Sequence, residues 1–170
     1  QAGRLIHTSN YFLSDTSLAF AERLVAACSN AGMRKVFLGN SGAEANEGAV
    51  KIARKYSLLK YGGGRHRIVT LQGSFHGRTI TTLSATGQDR FHVDFGPFTE
   101  GFLHIPSGDL AALDRALDGT VCALLLEPVQ GESGIRPLDA DFVRAAAALC
   151  AERDVLLMFD EIQSGVGRTG

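Results

Sequence analysis

Four short polar clusters carry residue types that do chemistry, and each follows an apolar run. Val36-Phe37-Leu38 leads into Gly39-Asn40-Ser41-Gly42-Ala43-Glu44-Ala45-Asn46, and Arg67–Leu71 leads into Gly73-Ser74-Phe75-His76-Gly77-Arg78. Val121–Leu126 is followed by Glu127-Pro128-Val129-Gln130-Gly131-Glu132, and Val155–Phe159 by Asp160-Glu161-Ile162-Gln163-Ser164-Gly165. Ser41-Gly42-Ala43 at a helix start presents free backbone N–H groups and the positive end of the macrodipole, which suits a phosphate monoester. A plain capped helix with Ser41 as its cap is the other reading. Phe75, at the mouth of a strand, is placed either to cover a flat heteroaromatic ring or to join the core. His76 has no second histidine at ligand spacing, so stacking or hydrogen bonding is favoured over metal binding. Asp160 ends a hydrophobic strand, where an ionised carboxylate is costly unless a cation such as a protonated pyridine nitrogen meets it; a backbone-bonded structural Asp is the alternative.

Two other patterns imitate nucleotide sites. The apolar run before Asp160-Glu161 has the form of the magnesium-binding strand of P-loop ATPases, but the chain contains no Gly-Lys pair to complete such a loop. Gly165-Val166-Gly167-Arg168-Thr169-Gly170 matches G-x-G-x-x-G, yet it does not open directly from a strand and shows no acidic residue beyond it. Both readings are set aside.

The elements that must hold these clusters alternate. Helices are expected at Ser17–Cys28, with Asp15 or Thr16 as cap, and at about 43–59, 109–117 and 140–153. In the second of these, Ala45, Ala49, Ile52, Ala53, Tyr56 and Leu59 recur at helical spacing, and Glu47 with Lys51 forms an i, i+4 pair on the other side. Strands are expected at Val36–Leu38, Arg67–Leu71, Phe102–Ile105, Val121–Leu126 and Val155–Phe159. The runs 121–126 and 155–159 are continuously apolar, as strands covered on both faces are, so the class is α/β with a mostly parallel sheet and flanking helices. In such a sheet, ligands bind beyond the carboxyl ends of the strands, where all four clusters lie. Pro97, Pro106, Pro128 and Pro137 fall at or near element boundaries, and no repeat or linker divides the 170 residues, which reads as one domain.

Composition removes other classes. With 17 basic and 18 acidic residues the formal charge is −1, and no Lys/Arg stripe forms, so a nucleic-acid partner held by bulk electrostatics is excluded. Cys28, Cys122 and Cys150 are odd in number, far apart and without CxxC spacing, as reduced thiols of a cytoplasmic protein would be. No apolar run approaches the ~18 residues of a membrane span, and the first residues lack a signal-peptide core, so no membrane association is expected.

In order along the chain stand Asn40-Ser41-Gly42-Ala43-Glu44-Ala45-Asn46-Glu47, Phe75-His76-Gly77-Arg78-Thr79, Leu126-Glu127-Pro128-Val129-Gln130-Gly131-Glu132 and Phe159-Asp160-Glu161-Ile162-Gln163-Ser164-Gly165. Together they resemble the class III, ornithine-type aminotransferases, which use pyridoxal 5'-phosphate on the fold-type-I scaffold. The resemblance implies that Ser41, Gly42 and Ala43 form the phosphate site and that Phe75, with His76 beside it, contacts the cofactor ring. Asp160 then holds the ring nitrogen protonated, Gln163 lies near the phenolic oxygen and Glu127 orients groups at the ring's other edge. It further implies that Arg78 binds the α-carboxylate of an acylated ornithine. Glu132 pairs with an arginine that otherwise accepts the carboxylate of glutamate. The implied partners are a small amino donor such as N-acetylornithine and a 2-oxo acid acceptor, 2-oxoglutarate, in a homodimeric parent; ornithine, succinylornithine and 4-aminobutyrate are alternative donors. Enzymes of this kind hold the cofactor as a Schiff base to a lysine after the Asp-Glu-Ile-Gln motif. Here the lysines are Lys35, Lys51, Lys55 and Lys60, all upstream of that motif. The chain is therefore expected to be part of the large cofactor domain of a longer enzyme and inactive alone; a non-catalytic binding module is the reading from another class.

Overall fold

The computed structural model describes residues 3–9, 11–28 and 32–169, which divide into two units, Gln1–Leu38 and Gly39–Gly170. In the first, helix α1 (Asp15–Ala27) starts two residues earlier than its apolar pattern suggests. Its cap is Ser14, not Asp15 or Thr16: the Ser14 hydroxyl accepts the amide of Ser17, and Asp15 occupies the first turn, where a negative charge meets the positive end of the helix. The strand expected at Val36–Leu38 does not form. These residues join no ladder among the described residues, and Phe37 and Leu38 stay exposed. An apolar run becomes a strand only when a neighbouring strand takes its amides and carbonyls.

The second unit opens with α2 (Gly42–Tyr61), capped by Ser41, whose hydroxyl accepts the Glu44 amide at 3.2 Å, and stopped by Gly62 at φ 79°. Its buried row is Asn46, Val50, Ala53 and Ser57. Of the stripe read from the sequence only Ala53 lies in this row; Ile52, Tyr56 and Leu59 are 59%, 43% and 74% exposed. Two polar residues claim the inner row because they have buried work to do. Asn46 bonds two loops across the site, and the Ser57 hydroxyl donates to the Arg65 carbonyl at 2.6 Å. Glu47 likewise accepts the Thr79 hydroxyl at 2.6 Å and forms no ion pair with Lys51 among the described residues.

Strands β1 (Arg67–Leu71), β2 (Phe102–Ile105), β3 (Val121–Leu126) and β6 (Leu156–Phe159) form one parallel sheet in the order β2-β1-β3-β6. Two short antiparallel strands, β4 (Val129–Gln130) and β5 (Arg136–Pro137), follow β3. Every residue of β3 is buried, as its unbroken apolar run requires, whereas β6 lies at the sheet edge with Phe159 45% exposed. Between β1 and β3 the register slips, with Arg67 opposite Val121 but Ile68 opposite Ala123. Beyond the slip, Leu124 and Leu126 face a core with Phe142 and Ala146 of α5 (Ala140–Glu152) and Leu113 of α4 (Leu110–Ala116). Cys122, Ala123 and Leu125 pack on Val50 and Ala53 of α2. A short helix that the sequence reading lacks, α3 (Ile80–Ala85), follows the β1 loop. No helix among the described residues is long and apolar enough to cross a membrane.

This topology creates the site. From β1 the chain moves outward to β2, then returns through α4 past β1 to β3, so the winding direction reverses between β1 and β3. A crevice opens beyond the carboxyl ends at such a point.

Candidate active site

The crevice is a cavity of about 290 Å³, and all its walls belong to the second unit. Gly42 and Ala43 line it from the start of α2; Phe75, His76 and Arg78 enter from the loop after β1, Glu127 from the end of β3, and Asp160 and Gln163 from the end of β6. Residues more than a hundred positions apart in the chain thus share one small volume.

One end is built for an anion. Gly42 and Ala43 are the first two residues of α2 and have no carbonyl one turn back to accept their amides. Close approach here depends on glycine. A Cβ on Gly42 would stand 2.9 Å from Ile162, and one on Gly77, at φ 137°, would stand 2.9 Å from the Ala43 Cβ. Ser41 acts beside this end as the helix cap and is itself exposed.

The cavity also holds a buried charge. Asp160, 8% exposed, accepts at Oδ2 from His76 Nδ1 at 2.8 Å and from Asn46 Nδ2 at 2.7 Å, and at Oδ1 from the Ile162 amide at 3.1 Å. Burial pushes its pKa up, but the bonds from His76, Asn46 and Ile162 outweigh it and hold the carboxyl below its ordinary value. Because a carboxylate only accepts, His76 carries its proton on Nδ1 and directs Nε2 elsewhere. The histidine side chain is wholly buried, and Nε2 has no partner among the described residues. Glu127 is buried as well, and its Oε1 accepts the Phe75 amide at 2.8 Å. Burial is the leading influence on its carboxyl and raises the pKa.

Phe75 also lines the cavity, half-buried and packed edge-to-face on Phe91 with centroids 5.7 Å apart. The Arg78 guanidinium stands over Phe91 at 4.2 Å and over Phe75 at 5.6 Å. Gln163 lies against Gly131, where even a single Cβ would collide with its amide. Glu132 is exposed and is not among the residues lining the cavity, so of the residues singled out from the sequence it alone, with Ser41, stands off the cavity wall. Asn46 and Ile162 do line it, and the sequence reading assigned neither a role. For Asn46 a signal existed: a polar residue in the same helical row as Val50 and Ala53.

An open parallel sheet with an N-capped helix and a buried carboxylate at its winding reversal defines an α/β protein whose crevice offers helix-start amides to an anion and a carboxylate to a cation. Comparison with known sequences narrows the class. The family pattern described as "Aminotransferase class-III" matches residues 1–170, and the chain belongs to that family. It is 49% identical over its whole length to an acetylornithine aminotransferase of Caldanaerobacter subterraneus subsp. tengcongensis, of which it covers 42%. The ornithine aminotransferase of Toxoplasma gondii superposes with a TM-score of 0.90 at 36% identity, over 97% of this chain and 39% of that one. An amine transaminase from an uncultivated Pseudomonas species, in a PLP-bound form, superposes with a TM-score of 0.85 at 25% identity, over 94% of this chain and 41% of that one. The chain thus spans about two-fifths of the length of these relatives.

Class-III aminotransferases use pyridoxal phosphate, and the residues present fit that group. Unpaired amides at the helix start match its phosphate. The buried carboxylate, kept ionised by three donors, matches its ring nitrogen.

Proposed function

We propose that these 170 residues are part of the cofactor domain of a pyridoxal-phosphate-dependent aminotransferase. In the whole protein this enzyme moves the terminal amino group of N-acetylornithine, or of a close relative, to 2-oxoglutarate. The observation that carries the reading is the pairing, in one cavity, of the α2 amides with the ionised Asp160. A pyridine ring that withdraws electrons from the substrate carbon is what bound pyridoxal phosphate supplies.

The chain's own residues prepare that chemistry. The amides of Gly42 and Ala43 bind the phosphate, aided by the helix dipole. Phe75 covers one face of the ring and excludes water from it. Asp160 holds the proton on the ring nitrogen, because an adjacent carboxylate raises the proton affinity of a base. Behind it His76 steadies the carboxylate through Nδ1. Glu127 orients groups at the far edge of the ring, and Gln163 serves the phenolic oxygen. Arg78 binds the α-carboxylate of the donor, for which its planar fork is shaped. The exposed Glu132 pairs with an arginine supplied from elsewhere in the enzyme, so that one pocket serves both donor and acceptor.

None of the four lysines lines the cavity, so the 170 residues by themselves are expected to lack transaminase activity. The reading also includes a homodimeric, cytoplasmic parent. The exposed stripe Ile52, Tyr56 and Leu59 on α2 supports the first point, and the free thiols Cys122 and Cys150 support the second. The test is an assay of the full-length protein with N-acetylornithine, succinylornithine, ornithine, 4-aminobutyrate and α-amino acids as donors. Fastest turnover of N-acetylornithine is expected. Turnover of an α-amino acid with all ω-amino donors inert would overturn the proposal.

A further inference from the structure

Asp160 is oriented by more than the histidine. The Asn46 side-chain nitrogen has two hydrogens, and both are used inside the protein: one bonds Asp160 Oδ2 at 2.7 Å, the other the His76 carbonyl at 2.8 Å. Asn46 is 7% exposed and sits one turn into α2, four residues after the glycine that starts the phosphate end. A single amide therefore joins three pieces of chain that meet at the cavity: the helix, the loop after β1 and the end of β6. With His76 and Asn46 both on Oδ2 and the Ile162 amide on Oδ1, the plane of the carboxylate is determined from three directions.

We infer that Asn46 is a positioning residue of the cofactor site, holding the Asp160 carboxylate in the orientation that faces the ring nitrogen and locking the His76 loop to the same helix that binds the phosphate. The inference rests on the reading of Asp160 as the partner of that nitrogen. A small apolar residue would fill the same place in the buried row beside Val50 and Ala53. It would leave the His76 carbonyl unpaired and take one charge-assisted donor from Asp160. The charged and titratable groups that face Asp160 are His76 from the β1 loop and Glu127 from the end of β3; Arg78 lines the same cavity.

The test uses the full-length protein, before and after loading with pyridoxal phosphate, as wild type, Asn46→Leu, Asn46→Asp and Asp160→Asn. In the unloaded protein, a carbon-13 NMR titration of the Asp160 carboxyl should move upward in Asn46→Leu by about one pH unit, the effect of one such bond. In the loaded protein, kcat should fall about tenfold to a hundredfold with the acid limb of its pH profile displaced the same way, while KM for the amino donor changes little. Asn46→Asp keeps the size. While protonated its carboxyl donates to Oδ2, so turnover should be retained at low pH and lost as that proton leaves, adding an alkaline limb. An Asp160 titration unmoved by Asn46→Leu, or an Asn46→Asp profile identical in shape to wild type, would overturn the inference, because a merely structural amide would lower Tm and leave both curves in place. Should Asn46→Leu not fold, the Asn46→Asp profile decides alone. Normal turnover in Asp160→Asn, by contrast, would sink the assignment of Asp160 to the cofactor whatever Asn46 does.

Discussion

Asp160→Asn is the sharpest perturbation of this site because it changes charge with almost no change in shape. The carboxylate accepts three bonds, two at Oδ2 and one at Oδ1. An amide has only one oxygen. The less costly arrangement turns that oxygen to His76 and Asn46 and leaves the NH2 group facing the Ile162 amide, two donors nose to nose. The part-buried Ile162 N–H then goes unpaired, at about 1 kcal/mol, a Tm loss of a few degrees. The catalytic cost is larger. A unit pair about 4 Å apart at an effective dielectric of about 20 is worth about 4 kcal/mol, which corresponds to about a thousandfold in rate. Full-length protein carrying the substitution should therefore fold, take up pyridoxal phosphate and turn over about a thousandfold more slowly with N-acetylornithine. Its pH behaviour gives a second check. The Asp160 pKa is depressed in the folded state, so its stabilisation is present above the ordinary carboxyl value of 3.8 and is lost as the pH falls through the lower folded value. The Tm gap between wild type and Asp160→Asn should accordingly narrow as the pH drops below 3.8. Turnover within about tenfold of wild type, or a gap that widens in acid, would refute the reasoning.

The neighbouring carboxylate has the opposite sign. Glu127 has a raised folded pKa, so the preference for its neutral form is fully present below 4.5 and lost as pH rises through the folded value. Glu127→Gln, which keeps an oxygen for the Phe75 amide, should raise Tm at pH 7 and bring no gain at pH 4; a gain equal at both pH values would contradict this. Gly77→Ala places a methyl group 2.5 Å from the Thr82 hydroxyl and 2.9 Å from the Ala43 Cβ at a φ of 137°. It should cost about 1–3 kcal/mol by denaturant titration and weaken retention of pyridoxal phosphate; unchanged stability and retention would show that the loop does not need glycine there.

Much of the fold is legible in the order of residue types. The unbroken run Val121–Leu126 announces a strand covered on both faces, and it is buried throughout. Glycine and capping residues mark the start and stop of α2 to within two residues. Other elements misread for a physical reason. Val36–Leu38 has strand composition but no partner, and a ladder is a property of pairs. The stripe on α2 has helical period and its Ala53 is buried, but Ile52, Tyr56 and Leu59 lose the inner row to Asn46, Val50 and Ser57. Periodicity reports that a helix has an apolar side, and contact determines which side is buried.

What the sequence determined by itself is the chemistry on offer: an amide-rich helix start, and, after runs that enter the sheet, an aromatic residue, an arginine and a carboxylate at the end of an apolar strand. Those properties are local, set by side-chain type and by the two or three neighbours along the chain. Only the tertiary structure decided that Asp160 stays ionised, that His76 supports it instead of binding elsewhere through Nδ1, and that Asn46 matters at all. Desolvation and hydrogen bonding depend on distances between segments up to 114 residues apart, and those distances exist only once β1, β3 and β6 lie side by side.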